Sequence, residues 1–351
     1  MRARLGIAAA ALALCAGAAL AQSSVWQAVW RSEGATERTS VVGRARTMTL
    51  AGQMTATARV RAAKGKLRLD YEAGRHSWSL IDNGRELIRV NPRAQEALVH
   101  PRPALAVDRK LAEQNYEARA LGEDHIAGRP VEMIVIVPRG GEQATVKLWL
   151  DRETGFALKR ERYSAEGNLT TGTEYLEVEF GAPVSGEVFL VPETWRRTAR
   201  GGQGPRLSLA ELGRVMGFAV REPRYVPAGY VLLGGDVREW GRRRARMAEL
   251  RYTDGLRVLS VFEREKGERM GERGGRRRRG GGRGEHHRGG GRGGGRGRGG
   301  GFGFGPPGRE QMTLVDRGTE KALRYFGREL VVVVVGDLTA EELVRVARSV
   351  E

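Results

Sequence analysis

The sequence predicts an α+β protein with a large antiparallel sheet, few helices and a smaller second domain. Four strand patterns separated by turns follow one another over residues 126–180. A further run of strand patterns fills residues 40–99, and one helix, at 104–115, stands between the two runs. Because short turns join neighbouring strands, the sheet is antiparallel and needs to be apolar on one face only.

The stretch 126–180 gives the clearest pattern. Residues 133–137 are apolar on both faces, whereas 145–150 and 173–180 alternate apolar and polar residues. The sequence DRETG at 151–155 predicts a turn, since Asp begins such turns and Gly supplies the positive φ that closes them. The inward apolar residues of this stretch are Val146, Leu148, Leu150, Leu176, Val178 and Phe180.

In the earlier run, Leu67, Leu69 and Tyr71 face one way and charged residues face the other, which is typical of a half-buried strand. The Asp-Asn-Gly sequence at 82–84 predicts a tight turn. Each inward residue taken alone is compatible with ordinary core packing. As a set, the excess of strands over covering helices favours a cavity.

The first 21 residues predict a cleaved secretory signal peptide. Arg2 and Arg4 precede a short apolar run, and the sequence ALA at 19–21 is a small-x-small cleavage pattern. A lipoprotein signal that uses Cys15 is the alternative, although Leu14 stands where a small residue is expected. Cys15 is the only cysteine, so the exported chain would hold no disulfide in an oxidising compartment.

A domain at 22–199 and a linker at 200–206 precede a second domain at 207–351. Ser208 and Thr339 each begin a capping box that predicts a helix. The apolar face of the first of these helices consists of Leu209, Leu212, Val215 and Met216, and that of the second of Leu343, Val346, Ala347 and Val350.

An Arg/Gly-rich insertion at 264–309 interrupts the second domain between two strands. It contains 14 Arg or Lys and 4 Glu, which accounts for more than half of the net charge of +18. Such a composition buries little and predicts disorder. In an exported protein, the segment favours either no dedicated ligand or an anionic envelope surface over nucleic acid.

Catalytic and metal-binding motifs are missing from the sequence. Neither His-Glu-x-x-His nor Gly-x-Ser-x-Gly occurs, and Gly-x-Gly-x-x-Gly occurs only within the Arg/Gly insertion. His286 and His287 are a weak metal candidate, and Asp124-His125 is interpreted as a turn before a strand. We therefore predict a protein that is not an enzyme, with no catalytic residues, metal or cofactor.

Several motifs appear in a fixed order along the chain. They are LIDNGRELIRVNP at 80–92, IAGRP at 126–130 with LWLDRETG at 148–155, VPAGY at 226–230, YTDGL at 252–256, SVF at 260–262 and VVVVVGDLTAEELVRVARSV at 331–350. Together they resemble the MucB/RseB family of periplasmic regulators of the envelope-stress sigma factor. The Arg/Gly insertion has no counterpart in that family, and residues 104–125 match only loosely.

The resemblance implies a strongly curved antiparallel half-barrel with helices plugging its open side, like the LolA lipoprotein carriers. It also implies an apolar cavity for lipid or lipoprotein acyl chains, and a smaller domain that holds the periplasmic segment of a membrane anti-sigma factor. The candidate lining of the cavity is Leu67, Leu69, Tyr71, Val146, Leu148, Leu150, Leu176, Val178 and Phe180.

Two functions therefore stay open. One is a regulatory binding protein of envelope-stress signalling, and the other is a periplasmic lipid or lipoprotein carrier without a signalling role. The second domain favours the regulator.

Overall fold

The structure, a computed structural model, describes residues 23–49, 54–73, 76–102, 108–199, 206–240, 245–266, 311–316 and 320–350. The predicted signal peptide, most of the predicted linker and nearly all of the Arg/Gly insertion lie outside these residues. The helices are α1 at 23–33, α2 Ala35–Arg38, α3 Arg109–Asn115, α4 Leu209–Met216 and α5 Ala340–Arg348. Within the described ranges, we find no helix with the length and apolar character of a membrane span.

In the described part of the chain, twelve strands form the larger sheet, in the order β12-β6-β5-β4-β3-β2-β1-β11-β10-β9-β8-β7. All neighbours are antiparallel except β12 and β6, which run parallel. The strands are β1 Val41–Thr49, β2 Met54–Ala63, β3 Lys66–Ala73, β4 His76–Asp82, β5 Glu86–Asn91, β6 Glu96–Pro101, β7 Tyr116–Ile126, β8 Arg129–Pro138, β9 Val146–Asp151, β10 Ala157–Tyr163, β11 Leu169–Phe180 and β12 Arg196–Ala199.

The larger sheet curls strongly toward one of its faces. The Arg129 guanidinium of β8 lies 4.9 Å from the ring centroid of Phe180 in β11, although β9 and β10 separate the two strands. The backbones of β7 and β11 also come into contact, although β8, β9 and β10 lie between them, whereas four strand spacings in a flat sheet would hold them roughly 19 Å apart. We call the face on which Arg129 meets Phe180 the inner face, and the opposite one the outer face.

Both faces carry apolar clusters. The inner cluster contains Val41, Val60, Trp149, Leu158 and Tyr175 together with Ala35 of α2. On the outer face, Trp26 and Val29 of α1 and Ala112 of α3 pack on Ile134, Ile136 and Leu148. At the other end of the outer face, residues around Phe189 and Val191 cover Ile81 and Ile88.

The β-bulges at Leu158 of β10 and Leu176 of β11 change which way side chains point. Leu158 and Leu176 have no register partner in the pairing of β10 with β9 and of β11 with β1, respectively. An extra residue in one strand interrupts the alternation of faces. Tyr175, Val178 and Phe180 consequently share one cluster despite their odd and even numbers.

The smaller sheet contains six strands among the described residues, in the order β13-β14-β15-β18-β17-β16. Helices α4 and α5 cover one face and pack on Leu250, Val261, Val332 and Val334. The strands are β13 Val231–Trp240, β14 Ala245–Thr253, β15 Val258–Glu265, β16 Gln311–Asp316, β17 Lys321–Phe326 and β18 Leu330–Gly336. Most of the Arg/Gly insertion therefore lies in the chain between β15 and β16.

The predicted α+β class is confirmed, with a large open curved sheet and a smaller second sheet. Both capping boxes form as predicted, at Ser208 and Thr339. Val215 is an exception on α4, because its side chain points away from the core and is 48% exposed.

The interpretation of Asp124-His125 as a turn is wrong. Both residues lie within β7, and the turn comes afterwards at Ala127 and Gly128. The sequence pattern does not indicate this strand, because β7 is an edge strand whose residues 119–125 are all exposed. It therefore lacks the alternation of apolar and polar residues that identifies a half-buried strand.

Candidate functional site

The two sheets are joined by hydrogen bonds at the end of α3. The Asn115 side-chain amide donates to the carbonyl oxygens of Gly229 and Asp254, at 2.9 Å each. Next to it, the Tyr116 hydroxyl donates to Asp254 Oδ2 at 2.5 Å. Burial, followed by the charge of Asp254, raises the pKa of Tyr116. The phenol is therefore a stable donor to a carboxylate that is itself only 6% exposed.

The loop between β14 and β15 is shaped for this contact. Asp254 Oδ1 accepts hydrogen bonds from the backbone N–H groups of Leu256 and Arg257, which fix the loop. Gly255 follows with φ +103°, and a Cβ at this position would stand 2.3 Å from the backbone nitrogen of Ala112. Only glycine combines that backbone angle with so close an approach.

A second set of contacts joins the sheets on the other side of this loop. Arg257 Nε lies 3.1 Å from Asp337 Oδ2, and Arg257 Nη2 donates to Thr145 Oγ1 at 3.3 Å. Asp337 also accepts a hydrogen bond from the backbone N–H of Ala165 at 2.9 Å, and Lys321 pairs with Glu166. These contacts are polar and mostly charge-assisted, as is typical of contacts between domains of one chain.

Beside this second set of contacts, a half-open cavity of about 250 Å³ lies between the two sheets, and we call it the cleft. Its walls offer hydroxyl, guanidinium and carboxylate groups beside the aliphatic side chain of Val258, which is 37% exposed. A mixture of donors, acceptors and apolar surface suits an extended polypeptide. The lining residues are Thr145, Arg162, Tyr163, Thr170, Thr171, Leu256, Arg257, Val258, Glu320 and Asp337.

The nine candidate lining residues of the sequence do not share one wall. Leu67, Leu69, Val178 and Phe180 pack around the inner cluster and are only partly buried. Tyr71 lies on the same face, because it follows Leu67 and Leu69 in the alternation of β3. The inner face therefore presents large apolar side chains that its own core does not fully cover.

Val146, Leu148 and Leu150 lie on the outer face, where they pack beneath α1 and are 4%, 0% and 3% exposed. Leu176 sits at the bulge of β11 and belongs to none of the clusters formed by the described residues. The alternation of β9 shows that these three residues share a face. It does not show which face they occupy, because β9 is buried on both faces. Lining of a lipid cavity by these nine residues stays a prediction.

The GRP and DRETG motifs meet in one buried ion pair. Arg129 Nε donates to Asp151 Oδ2 at 2.5 Å, and the Asp151 side chain is 0% exposed. Burial acts to raise the pKa of Asp151, but hydrogen bonds from Arg129 and Thr154 outweigh it and lower that pKa. Asp151 thus fixes the turn between β9 and β10, and these motifs serve the fold.

Among the described residues, no three His, Cys, Asp or Glu side chains come together as a metal site. His286 and His287 lie outside the described residues. Gly229, Asp254 and Gly255 belong to the VPAGY and YTDGL motifs. The motifs do not show that these residues meet the end of α3, because the contacting segments are far apart along the chain.

Comparison with known proteins decides the family. Residues 44–191 match the family model of the MucB/RseB N-terminal domain. The larger domain belongs to the MucB/RseB family. A curated relative, the sigma factor AlgU regulatory protein MucB from Pseudomonas aeruginosa, is 26% identical over 147 residues. These residues make up 42% of this chain and 43% of that protein, so the match spans less than half of the relative's length.

Solved MucB structures share the fold over almost the whole chain. The complex of Pseudomonas aeruginosa MucA and MucB has a TM-score of 0.60 at 18% identity and covers 92% of this chain and 97% of that one. A structure described as MucB in complex with MucA(peri) gives a TM-score of 0.60 at 17% identity, with the same coverage. At this identity the likeness establishes the fold, including both sheets.

Proposed function

We propose that this MucB/RseB-family protein is an exported regulatory binding protein of envelope-stress signalling. In the periplasm it binds the exported segment of a membrane anti-sigma factor, and lipid or lipoprotein acyl chains on the inner face control that binding. The observation that carries the proposal is that the two sheets dock around the open cleft, whose lining suits an extended peptide.

Two further observations support the regulatory part. The matched Pseudomonas aeruginosa protein is named as a sigma factor regulatory protein, and MucB was solved bound to MucA(peri). The segment-binding role needs both sheets, because Thr145 and Arg162 of the cleft come from the larger one and Val258 and Asp337 from the smaller or its end.

The lipid-sensing part rests on the inner face. Leu67, Leu69, Val178 and Phe180 are large, apolar and only partly covered. Apolar surface of this kind gains free energy when an acyl chain removes it from water, at about 25 cal/mol per Å². This feature also favours the second candidate function, a periplasmic lipid or lipoprotein carrier that does not signal.

One pair of binding experiments separates these functions. Isothermal titration would measure binding of an anti-sigma factor's purified periplasmic segment to the full chain, and displacement of a fluorescent fatty acid would report on the inner face. A regulator binds both ligands, and the fatty acid weakens binding of the segment. A carrier binds the fatty acid alone, and a chain that binds neither contradicts both functions.

A further inference from the structure

An aromatic pair stands on the inner face beside the apolar residues. Tyr71 of β3 and Trp78 of β4 are register partners, and their rings stack with centroids 4.1 Å apart and planes 12° apart. They lie two residues from the ends of their strands at Ala73 and His76. The aromatic pair therefore lies at the end of the apolar surface to which Leu67 and Leu69 belong.

A guanidinium group completes the arrangement. Leu80 of β4 pairs with Leu69 on one side and with Arg89 of β5 on the other, so all three share the inner face. The Arg89 Cζ atom lies 5.3 Å from the centroid of the Trp78 ring. Along this face the surface changes from aliphatic to aromatic to cationic within three strands.

Arg89 differs from several other arginines of the larger sheet in its partners. On the outer face, Arg61 and Arg68 share Asp70, and on the inner face Arg129 holds Asp151. Arg89 is exposed, and no carboxylate of the described residues lies within 4 Å of it. Stacking on Trp78 shields one face of the guanidinium and leaves its N–H edge available.

The chemistry of this group selects an anion. A guanidinium edge binds carboxylate or phosphate oxygens with two parallel hydrogen bonds. Aromatic rings such as those of Tyr and Trp favour the boundary between apolar and polar surroundings. A quaternary ammonium, which aromatic rings also attract, would be repelled here by the charge of Arg89.

We propose that Arg89, supported by the Tyr71–Trp78 stack, binds the anionic head group of an amphiphile whose acyl chain lies on the inner face. This inference rests on the lipid-sensing part of the proposed function and adds which end of the ligand is recognised. The ligand class is a single-chain or multi-chain lipid with a carboxylate or phosphate head.

A pair of ligands that differ only in charge tests the proposal. Binding of a fluorescent fatty acid and of its neutral methyl ester to the full chain would be measured by fluorescence titration. The chain should prefer the acid. Arg89→Gln should lower the affinity for the acid about tenfold, which is about 1.4 kcal/mol, and leave the affinity for the ester unchanged. Arg89 is exposed, so this substitution should not disturb folding.

Arg59→Gln is the matched control, because Arg59 is an exposed arginine of β2 that pairs with Asp70 in register and so lies on the outer face. It should leave both affinities unchanged. Equal affinities for acid and ester, or an unchanged acid affinity in Arg89→Gln, would overturn the subsite while leaving the lipid site standing. If neither ligand binds, the lipid-sensing part of the proposed function fails as well.

Inorganic phosphate in excess distinguishes a head-group site from a site for a free anion. We expect it to leave the binding of the ester untouched and to compete only weakly with the acid. Full displacement of the acid by phosphate, with no contribution from the acyl chain, would overturn the assignment to an amphiphile.

Discussion

The Tyr116 hydroxyl and the Asp254 carboxylate, 2.5 Å apart, form a hydrogen bond that connects the larger sheet with the smaller one. Asn115, the neighbour of Tyr116, binds the backbone of the same Asp254 and of Gly229. Because the cleft lies between the two sheets, its shape depends on this contact. The contact thus links the stability of the fold to the proposed binding of a partner segment.

Removal of the Tyr116 hydroxyl should loosen the docking of the sheets. In Tyr116→Phe, the buried Asp254 Oδ2 loses its donor, and we expect a loss of about 1–3 kcal/mol in the free energy of unfolding. Urea unfolding would measure this loss, and limited proteolysis would report on the contact between the sheets. Tyr71→Phe is the comparison for docking, because Tyr71 stacks on Trp78 within the larger sheet and takes part in none of the described contacts between the sheets. An equal rise in proteolysis for both variants would contradict an interdomain role for Tyr116.

A methyl group at Gly255 should prevent the loop from approaching α3. The added Cβ of Gly255→Ala would meet the Ala112 nitrogen at 2.3 Å, whereas that of Gly84→Ala, at φ +90°, meets nothing within 4 Å. Both variants carry the strain of a positive φ, which costs about 1 kcal/mol. Only Gly255→Ala should lose more free energy of unfolding than this, as measured by urea unfolding. Equal losses in the two variants would show that the close approach of the loop to α3 does not contribute to stability.

Glu263 should make the smaller sheet less stable as the pH rises. Its side chain is 0% exposed, Oε2 accepts a hydrogen bond from the Arg221 N–H, and Oε1 is without a partner among the described residues. Burial raises the pKa of Glu263 to about 7, against the lowering effect of Arg221. The folded chain therefore holds this proton more tightly than the unfolded chain, whose pKa is near 4.5.

The sign of the effect follows from proton linkage. The stabilising contribution is fully present below pH 4.5 and is lost as the pH rises through about 7. Glu263→Gln should unfold like the unsubstituted chain at pH 4.5 and be more stable by about 2–3 kcal/mol at pH 8. Urea titrations at both pH values would measure the difference. Glu265→Gln, a substitution at an exposed position of the same strand, should show no such difference in stability. A gain in stability for Glu263→Gln that is the same at both pH values would contradict the proton linkage.

Asp151→Asn should destabilise the larger sheet. The substitution leaves the Arg129 guanidinium without its buried counter-charge, which costs about 3 kcal/mol or more. Because the pKa of Asp151 lies below 3.8 in the folded chain, its contribution is present above that pH and is lost in stronger acid. Thermal unfolding at pH 7 should show a large drop for Asp151→Asn and almost none for Glu153→Gln, whose side chain is 80% exposed.

Local sequence signals predicted the local structure well. The DRETG turn, the hairpin around Thr253 and Asp254 and the two capping boxes depend on residues close together in the chain, and all of them form. The order of family motifs also led to the correct family. These features need no knowledge of distant contacts.

Other features depend on contacts that a single pattern does not encode. Val146 and Leu148 alternate correctly, but alternation does not reveal that α1 covers their face while Trp149 is buried on the other. Leu176 follows the period-two alternation of its strand in the sequence, yet a bulge leaves it without a partner in the register of β11 with β1. The bonds from Asn115 and Tyr116 to Asp254 span more than 130 residues, so the cleft was not predictable.

We propose that the cleft binds an extended segment of an anti-sigma factor. Isothermal titration of that segment into the full chain, into Val258→Asp and into Val215→Asp tests it most directly. Val258 lines the cleft and is 37% exposed, whereas Val215 is 48% exposed on α4 and does not line it. We expect the affinity to fall at least tenfold, about 1.4 kcal/mol, in Val258→Asp alone. Absence of binding to the unsubstituted chain, or equal affinities for all three proteins, would contradict the claim.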